Sequence, residues 1–179
     1  MEDLSLHILD VVENSIIAGA NRIEIRILED LKNDILSIEI KDNGKGMSEE
    51  VLKKVTDPFY TTRTTRRVGL GLPFLFQSAK DSEGDLSITS KEGEGTVVHA
   101  YFKHSHIDRK PLGNIVDTLI TLIAGSPDIV FLYEHRRNGN TYFLDTKEIK
   151  AELEEIPINS AEVIKIIRED IQNGLKDLS

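Results

Sequence analysis

Two stretches of strict alternation constrain this chain more than any other feature. Ile23, Ile25 and Ile27 alternate with Arg22, Glu24 and Arg26, and Leu36, Ile38 and Ile40 repeat the pattern after Asn33-Asp34. A period of two marks a strand with one buried face, and the turn residues between the runs predict a hairpin. Upstream, Leu4, Ile8, Leu9, Val12 and Ile16 recur at helical spacing, so residues 4–18 read as a helix stopped by Gly19-Ala20-Asn21. Downstream, a short helix follows Ser48, a loop rich in Thr and Arg covers residues 61–67, and a helix runs from about Leu72 with Pro73 in its first turn. Strands at 85–90 and 95–103 are joined by a turn holding Gly93 and Gly95.

The remainder reads as a helix near 112–124, strands at 128–135 and 140–145, and helices near 146–155 and 160–173. Asn138-Gly139 is a strong two-residue hairpin signal, and Gly174 suits a helix end. Pro111 and the polar run His104-Ser105-His106 mark the boundary expected between a first domain, 1–103, and an accessory α/β segment, 104–179, packed with it as one body. The second hairpin is expected to extend the main sheet at an edge, with the 160–173 helix covering it. A dimer or partner surface is an equal alternative for this segment.

Composition narrows the function classes. The 179 residues carry 22 Lys+Arg and 31 Asp+Glu, a net charge of −9. Such a chain is long enough to bury a core without staples. The absence of cysteine excludes disulfides, thiolate zinc sites and a thiol nucleophile. Negative charge disfavours nucleic acid and anionic membrane as main partners. No apolar run approaches the roughly 20 residues of a membrane span. Met1-Glu2-Asp3 is not followed by a secretory core, so a cytoplasmic location is the expectation.

Four segments carry groups suited to chemistry. In Asp10-Val11-Val12-Glu13-Asn14-Ser15, Asp10 and Asn14 are four apart and share a helix face, where a carboxylate and a carboxamide can handle a water and a hard cation together. In Asp42-Asn43-Gly44-Lys45-Gly46-Met47, two glycines after a strand let the backbone turn and approach a flat ligand, and Asp42 can accept from an exocyclic amine. Asp57-Pro58-Phe59-Tyr60-Thr61-Thr62-Arg63, with Arg66 and Arg67 beyond, clusters hydroxyls and guanidinium groups suited to phosphate. Gly69-Leu70-Gly71-Leu72-Pro73 enters a helix, where free amides bind phosphate. Each segment alone also fits an ordinary turn, cap or solvated face. No Walker A pattern occurs, and a Rossmann fingerprint fails because position 74 is Phe.

Together the four segments, with Gly93-Glu94-Gly95-Thr96-Val97-Val98 as a fifth, resemble the GHKL ATPase superfamily: the DNA gyrase B, heat-shock chaperone, sensor histidine kinase and MutL families. The resemblance spans about residues 4–103. It implies a two-layer α/β sandwich, with a mixed, mostly antiparallel sheet covered by helices. It implies ATP and Mg²⁺ as ligands. Asn14 then matches the asparagine that ligates Mg²⁺, Asp42 the aspartate that recognises adenine, Gly44 and Gly46 the pocket glycines, and Thr96 the strand threonine. Gly69 and Gly71 match the glycines at the phosphate end of the lid. Met47, Thr61, Thr62, Arg63 and Leu70 join the ATP-binding set.

Departures from the family pattern bear on catalysis. Hydrolytic relatives carry a general-base Glu four residues before the asparagine, where this chain has Asp10, one methylene shorter. Glu13 is the second candidate base, about 100° around the helix from Asn14. Three uses follow from the resemblance: a protein kinase acting in trans, a slow ATPase whose closure switches a protein partner, or a nucleotide-binding module without catalysis. An ATP-dependent enzyme of regulatory role is the leading expectation. Because Asn14 is reached so early, any phosphoacceptor is expected on another protein, and a homodimer is a further possibility. His7 is expected on the helix surface, and Phe74 and Phe76 in the core.

Overall fold

The computed structural model describes residues 3–55 and 71–179. Helix α1 spans Leu4–Ile17. Its N-cap is Asp3, whose carboxylate accepts the Leu6 amide at 3.1 Å, satisfying one of the orphan donors of the first turn. Leu4, Ile8, Val11 and Val12 turn inward. The helix stops where Gly19 adopts φ +81°, a left-handed conformation that glycine reaches without strain.

Strands β1 (Arg22–Asp30) and β2 (Ile35–Asp42) form the expected hairpin, with Ile25 opposite Ile40 and Ile27 opposite Ile38. Helix α2 covers Glu49–Val55 and α3 covers Gly71–Asp81. Strands β3 (Asp85–Lys91) and β4 (Gly95–Lys103) follow. Then come α4 (Ile115–Gly125), β5 (Val130–Arg137), β6 (Asn140–Asp145), α5 (Thr146–Leu153) and α6 (Ala161–Lys176). The strands make one mixed sheet in the order β3-β4-β2-β1-β5-β6. Every pairing is antiparallel except β1 with β5. The second hairpin therefore does extend the sheet at an edge. Asn138 and Gly139 both have positive φ, 52° and 78°, the conformation that a tight hairpin turn requires.

One face of the sheet carries Ile23, Ile25, Ile27, Leu36, Ile38, Ile40, Phe102 and Tyr133, all at most 1% exposed. Helix α1 packs beside α3 and α4, and α4 packs against α6, which reaches β6. The opposite face is polar; at its centre Arg26 pairs with Glu24, Glu39 and Glu134. No helix among the described residues is long and apolar enough to cross a membrane.

Four expectations change. Helix α4 begins at Ile115 rather than near 112, because the Pro111 and Leu112 carbonyls accept the Leu4 and Ser5 amides at 3.0 and 2.8 Å. Gly174 does not end α6, which continues to Lys176; its bare Cα faces the Tyr142 ring, which any Cβ would strike. His7 is buried rather than exposed, set against the Phe74 ring at 6.2 Å and Lys110 Nζ at 3.4 Å. Phe74 is 49% exposed and Phe76 only half-buried, with Lys80 Nζ 5.6 Å from its ring centre, because Leu75 and Leu72 take the core-facing positions of α3.

Candidate functional site

Asp42 is the last residue of β2, an interior strand, and meets the last turns of α1 through Ser15. Ser15 Oγ donates to its Oδ2 at 2.6 Å and the Gly44 amide donates to Oδ1 at 2.9 Å. Both carboxylate oxygens are thus fixed by groups from two directions, which orients the side chain without neutralising it. The backbone after Asp42 is pinned in turn. The Asn43 carboxamide oxygen accepts the Asn21 and Arg22 amides, each at 3.0 Å, and the Lys45 amide donates to the Ala18 carbonyl at 2.9 Å. The loop is laced to the end of α1 and the start of β1.

A pocket of about 230 Å³ opens above Asp42. Val11, Met47, Leu72 and Val98 supply apolar walls, and Asn14, Asp42 and Thr96 supply polar groups. Gly46 lies at the rim with φ +68°, and a Cβ there would run into the Lys91 carbonyl. Thr96 sits opposite Asp42 in the β2–β4 register. Its hydroxyl pairs with Ser90 Oγ at 2.8 Å, and Ser90 Oγ also accepts the Met47 amide at 2.8 Å. One hydroxyl on β3 therefore ties the loop carrying Met47 to the strand carrying Thr96.

Of the residues proposed from the sequence, Asn14, Asp42, Gly46, Met47 and Thr96 line this pocket together, and Gly44 holds Asp42 from below. Asp10 and Glu13 line a neighbouring groove between α1 and α4. Gly71, the first residue of α3, comes so close to α1 that a Cβ would stand 2.8 Å from Asp10 Cβ. Thr61, Thr62, Arg63, Gly69 and Leu70 lie outside the described residues.

Ser15 and Ser90 are the additions. Ser15 lies in the run already singled out, but its partner is 27 residues away, so only the fold exposes its role. Ser90 faces Thr96 across the β3–β4 hairpin, but its hold on Met47, 43 residues away, is disclosed only by the fold.

The geometry groups an acid, a carboxamide and a hydroxyl around an apolar slot beside a helix start. The family described as histidine kinase-, DNA gyrase B-, and HSP90-like ATPase matches residues 2–106, more than half of the chain. The chain belongs to this family. Its sheet, with α1 and α3 laid across it, is the GHKL fold, and its ATPase domain is of the histidine-kinase type. Three relatives, all from Bacillus subtilis (strain 168), show the same kinship. Sporulation kinase E is 42% identical over 69 residues, 38% of this chain and 9% of that kinase. Sporulation kinase C is 43% identical over 60 residues, 34% of this chain and 14% of that kinase. Sensor histidine kinase YvrG is 37% identical over 81 residues, 43% of this chain and 14% of its own length. The chain matches only a small part of each relative.

At the far end of β1 lies a second polar cluster. Glu29 accepts His135 Nε2 at 2.7 Å and His104 Nε2 at 3.0 Å, with Arg137 Nη1 at 3.8 Å, and Tyr133 Oη pairs with His135 Nδ1 at 2.8 Å. Burial pushes the Glu29 carboxyl up, but the hydrogen bonds from His135 and His104 and the nearby positive charge outweigh it, holding the pKa at about 2. Burial pushes the Tyr133 phenol well above its ordinary range. This cluster joins β1, β5 and the segment after β4, away from the Asp42 pocket.

Proposed function

We propose that the pocket binds the adenine of ATP and that the chain passes the γ-phosphoryl group to a partner protein, or to water when no partner is present. The observation that carries this reading is the doubly anchored Asp42. Its carboxylate, held by Ser15 and Gly44 beneath an apolar slot, is placed to accept the exocyclic amine of a purine. Gly46 belongs to the pocket lining, and its lack of a Cβ lets the loop bearing Met47 lie directly against the Lys91 carbonyl, which holds that wall in place. Thr96, fixed by Ser90, offers the second polar contact.

Asn14 lines the same pocket, one helical turn from Asp10. Mg²⁺, which takes one or two protein oxygens plus substrate phosphates, would be held by the Asn14 carboxamide oxygen and would offset charge on the triphosphate. Transfer is in line: the acceptor oxygen or nitrogen bonds to the γ-phosphorus as the β–γ bridging oxygen leaves with ADP. Asp10 accepts the acceptor's proton, the role for which its place beside the first turn of α3 suits it.

The deciding experiment is incubation of the full chain with γ-labelled ATP and Mg²⁺, alone and with candidate partner proteins, after calorimetry has measured MgATP affinity. Label on protein supports the kinase and free phosphate supports the ATPase. Binding without either leaves a nucleotide-gated switch, and no binding ends the reading. Asp10→Asn is expected to keep MgATP affinity within about twofold and to reduce turnover by about 10²-fold or more. Unchanged turnover transfers the base role elsewhere.

A further inference from the structure

Helices α1 and α4 begin in contact and then part. The Thr118 hydroxyl donates to the Ser5 carbonyl at 3.2 Å near the start of both. Toward their C-terminal ends a groove of about 650 Å³ opens between them. Ile16 and Ile17 of α1 and Leu122 of α4 give it apolar walls, and Ile17 is 58% exposed. At Gly125 the wall is bare, with nothing within 4 Å of the place a Cβ would occupy. The charged groups among its described lining residues are Asp10 and Glu13, both carboxylates.

Two features distinguish this groove from a random surface trough. It is continuous with the proposed nucleotide pocket: Ile17 lines both cavities, and Gly71, part of its lining, precedes Leu72 of the pocket wall. Its second wall, residues 121–126, lies beyond the 2–106 match and so is not part of the ATPase family's common body.

We propose that the α1–α4 groove is a docking site for one amphipathic helix of a partner protein, apolar along one face and flanked by Lys or Arg. A groove between two helices takes such a segment through side chains spaced three and four apart. The two carboxylates among its described lining residues, on a chain of net charge −9, attract basic segments and disfavour acidic ones. The same charge disfavours a second copy of this chain as occupant. The docking surface stands on the groove alone. Its consequence, that a seated helix is held next to Asp10 at the phosphate end, rests on the function proposed above.

The test pans a display library of random helical peptides against the full chain and measures the enriched peptide, fluorescein-labelled, by anisotropy. Enriched sequences are expected to combine Leu, Ile or Phe at helical spacing with Lys or Arg flanks. Gly125→Trp fills the groove, and Thr121→Lys places a cation on an exposed wall position. Each is expected to weaken the peptide at least tenfold while leaving MgATP affinity by calorimetry unchanged. Absence of enrichment, acidic winners, or undiminished binding to the variants overturns the proposal. Self-association of the wild-type chain in the ultracentrifuge, abolished by Gly125→Trp, overturns it in favour of a second copy. Should Gly125→Trp fail to fold, Thr121→Lys decides the matter. Loss of MgATP binding in the wild type would instead remove the nucleotide reading and leave the peptide measurement standing.

Discussion

Asp42 faces two demands, since it must stay fixed and must stay available. Its two protein donors, Ser15 Oγ and the Gly44 amide, use one lone pair on each oxygen and leave the others toward the slot. Asp42→Asn puts an NH₂ group where either a donor or the purine amine already points. We expect MgATP affinity by calorimetry to fall at least tenfold, since a hydrogen bond to a charged group contributes about 1.5–3 kcal/mol; an affinity within twofold of wild type would refute the adenine role. Ser15→Ala removes one of the two tethers and no proposed ligand contact. It is expected to weaken binding by a smaller factor, about three- to tenfold, consistent with an ordinary hydrogen bond of about 1 kcal/mol. An effect equal to that of Asp42→Asn would make Ser15 a contact rather than a tether. Legibility in the sequence followed the range of each interaction. The Asp42-Asn43-Gly44 turn is local, so residue types and spacing disclosed it. The Ser15–Asp42 and Met47–Ser90 contacts, 27 and 43 residues apart, are set by where α1 and β3 pack, and no local pattern of residues discloses either. The burial of His7 is hidden for a related reason: its helix face is polar at Asp10 and Asn14, yet Phe74 of α3 packs over its N-terminal end.

Between elements, the Glu29 cluster ties β1 to β5 and to the chain after β4. Alternation made β1 and β5 readable as strands, but their parallel pairing depends on a crossover through α4 that periodicity does not encode. That pairing, with Ile27 opposite His135, brings His135 to Glu29, while the β2–β4 pairing delivers His104 from the other side. The carboxyl is lowered from an ordinary 4.5 to about 2 in the folded chain. The folded state therefore binds fewer protons than the unfolded one between these values, and its stability falls as pH drops through that window. The contribution is complete above about 4.5 and lost on approaching about 2. Glu29→Gln is expected to lower the thermal midpoint most at pH 6–7 and progressively less below about 4.5, so that variant and wild type converge in strong acid. Thermal melts by circular dichroism across that range check this; a deficit that is constant with pH would assign the loss to packing rather than to the charge.

At the scale of the whole molecule, the question is whether residues 104–179 are an attachment or a structural half. The sheet answers geometrically. Strand β1 is interior, held between β2 and β5, and β6 forms one of the two edges. Removing everything after residue 106 would strip the hydrogen-bonding partners from one side of β1 and expose a long strand rich in isoleucine, the kind of edge that invites aggregation. It would also remove Ile115, Leu119, Ile123, Phe131 and Tyr133, each at most 3% exposed, from the same core that Leu4, Ile8 and Val12 help to fill. Even a single large-to-small change in such a core costs about 2–5 kcal/mol, against a total stability of about 5–15 kcal/mol for a domain of ordinary size. A chain ending at residue 106 is therefore expected to be aggregated or to lack a cooperative thermal transition, although it retains the whole family match. Size-exclusion chromatography with circular dichroism melts of the short and full chains checks this. A monomeric short chain with a sharp transition and intact MgATP affinity would show that the ATPase body closes its own core, and that β5, β6 and α4 are an addition whose place against α1 serves the partner rather than the fold.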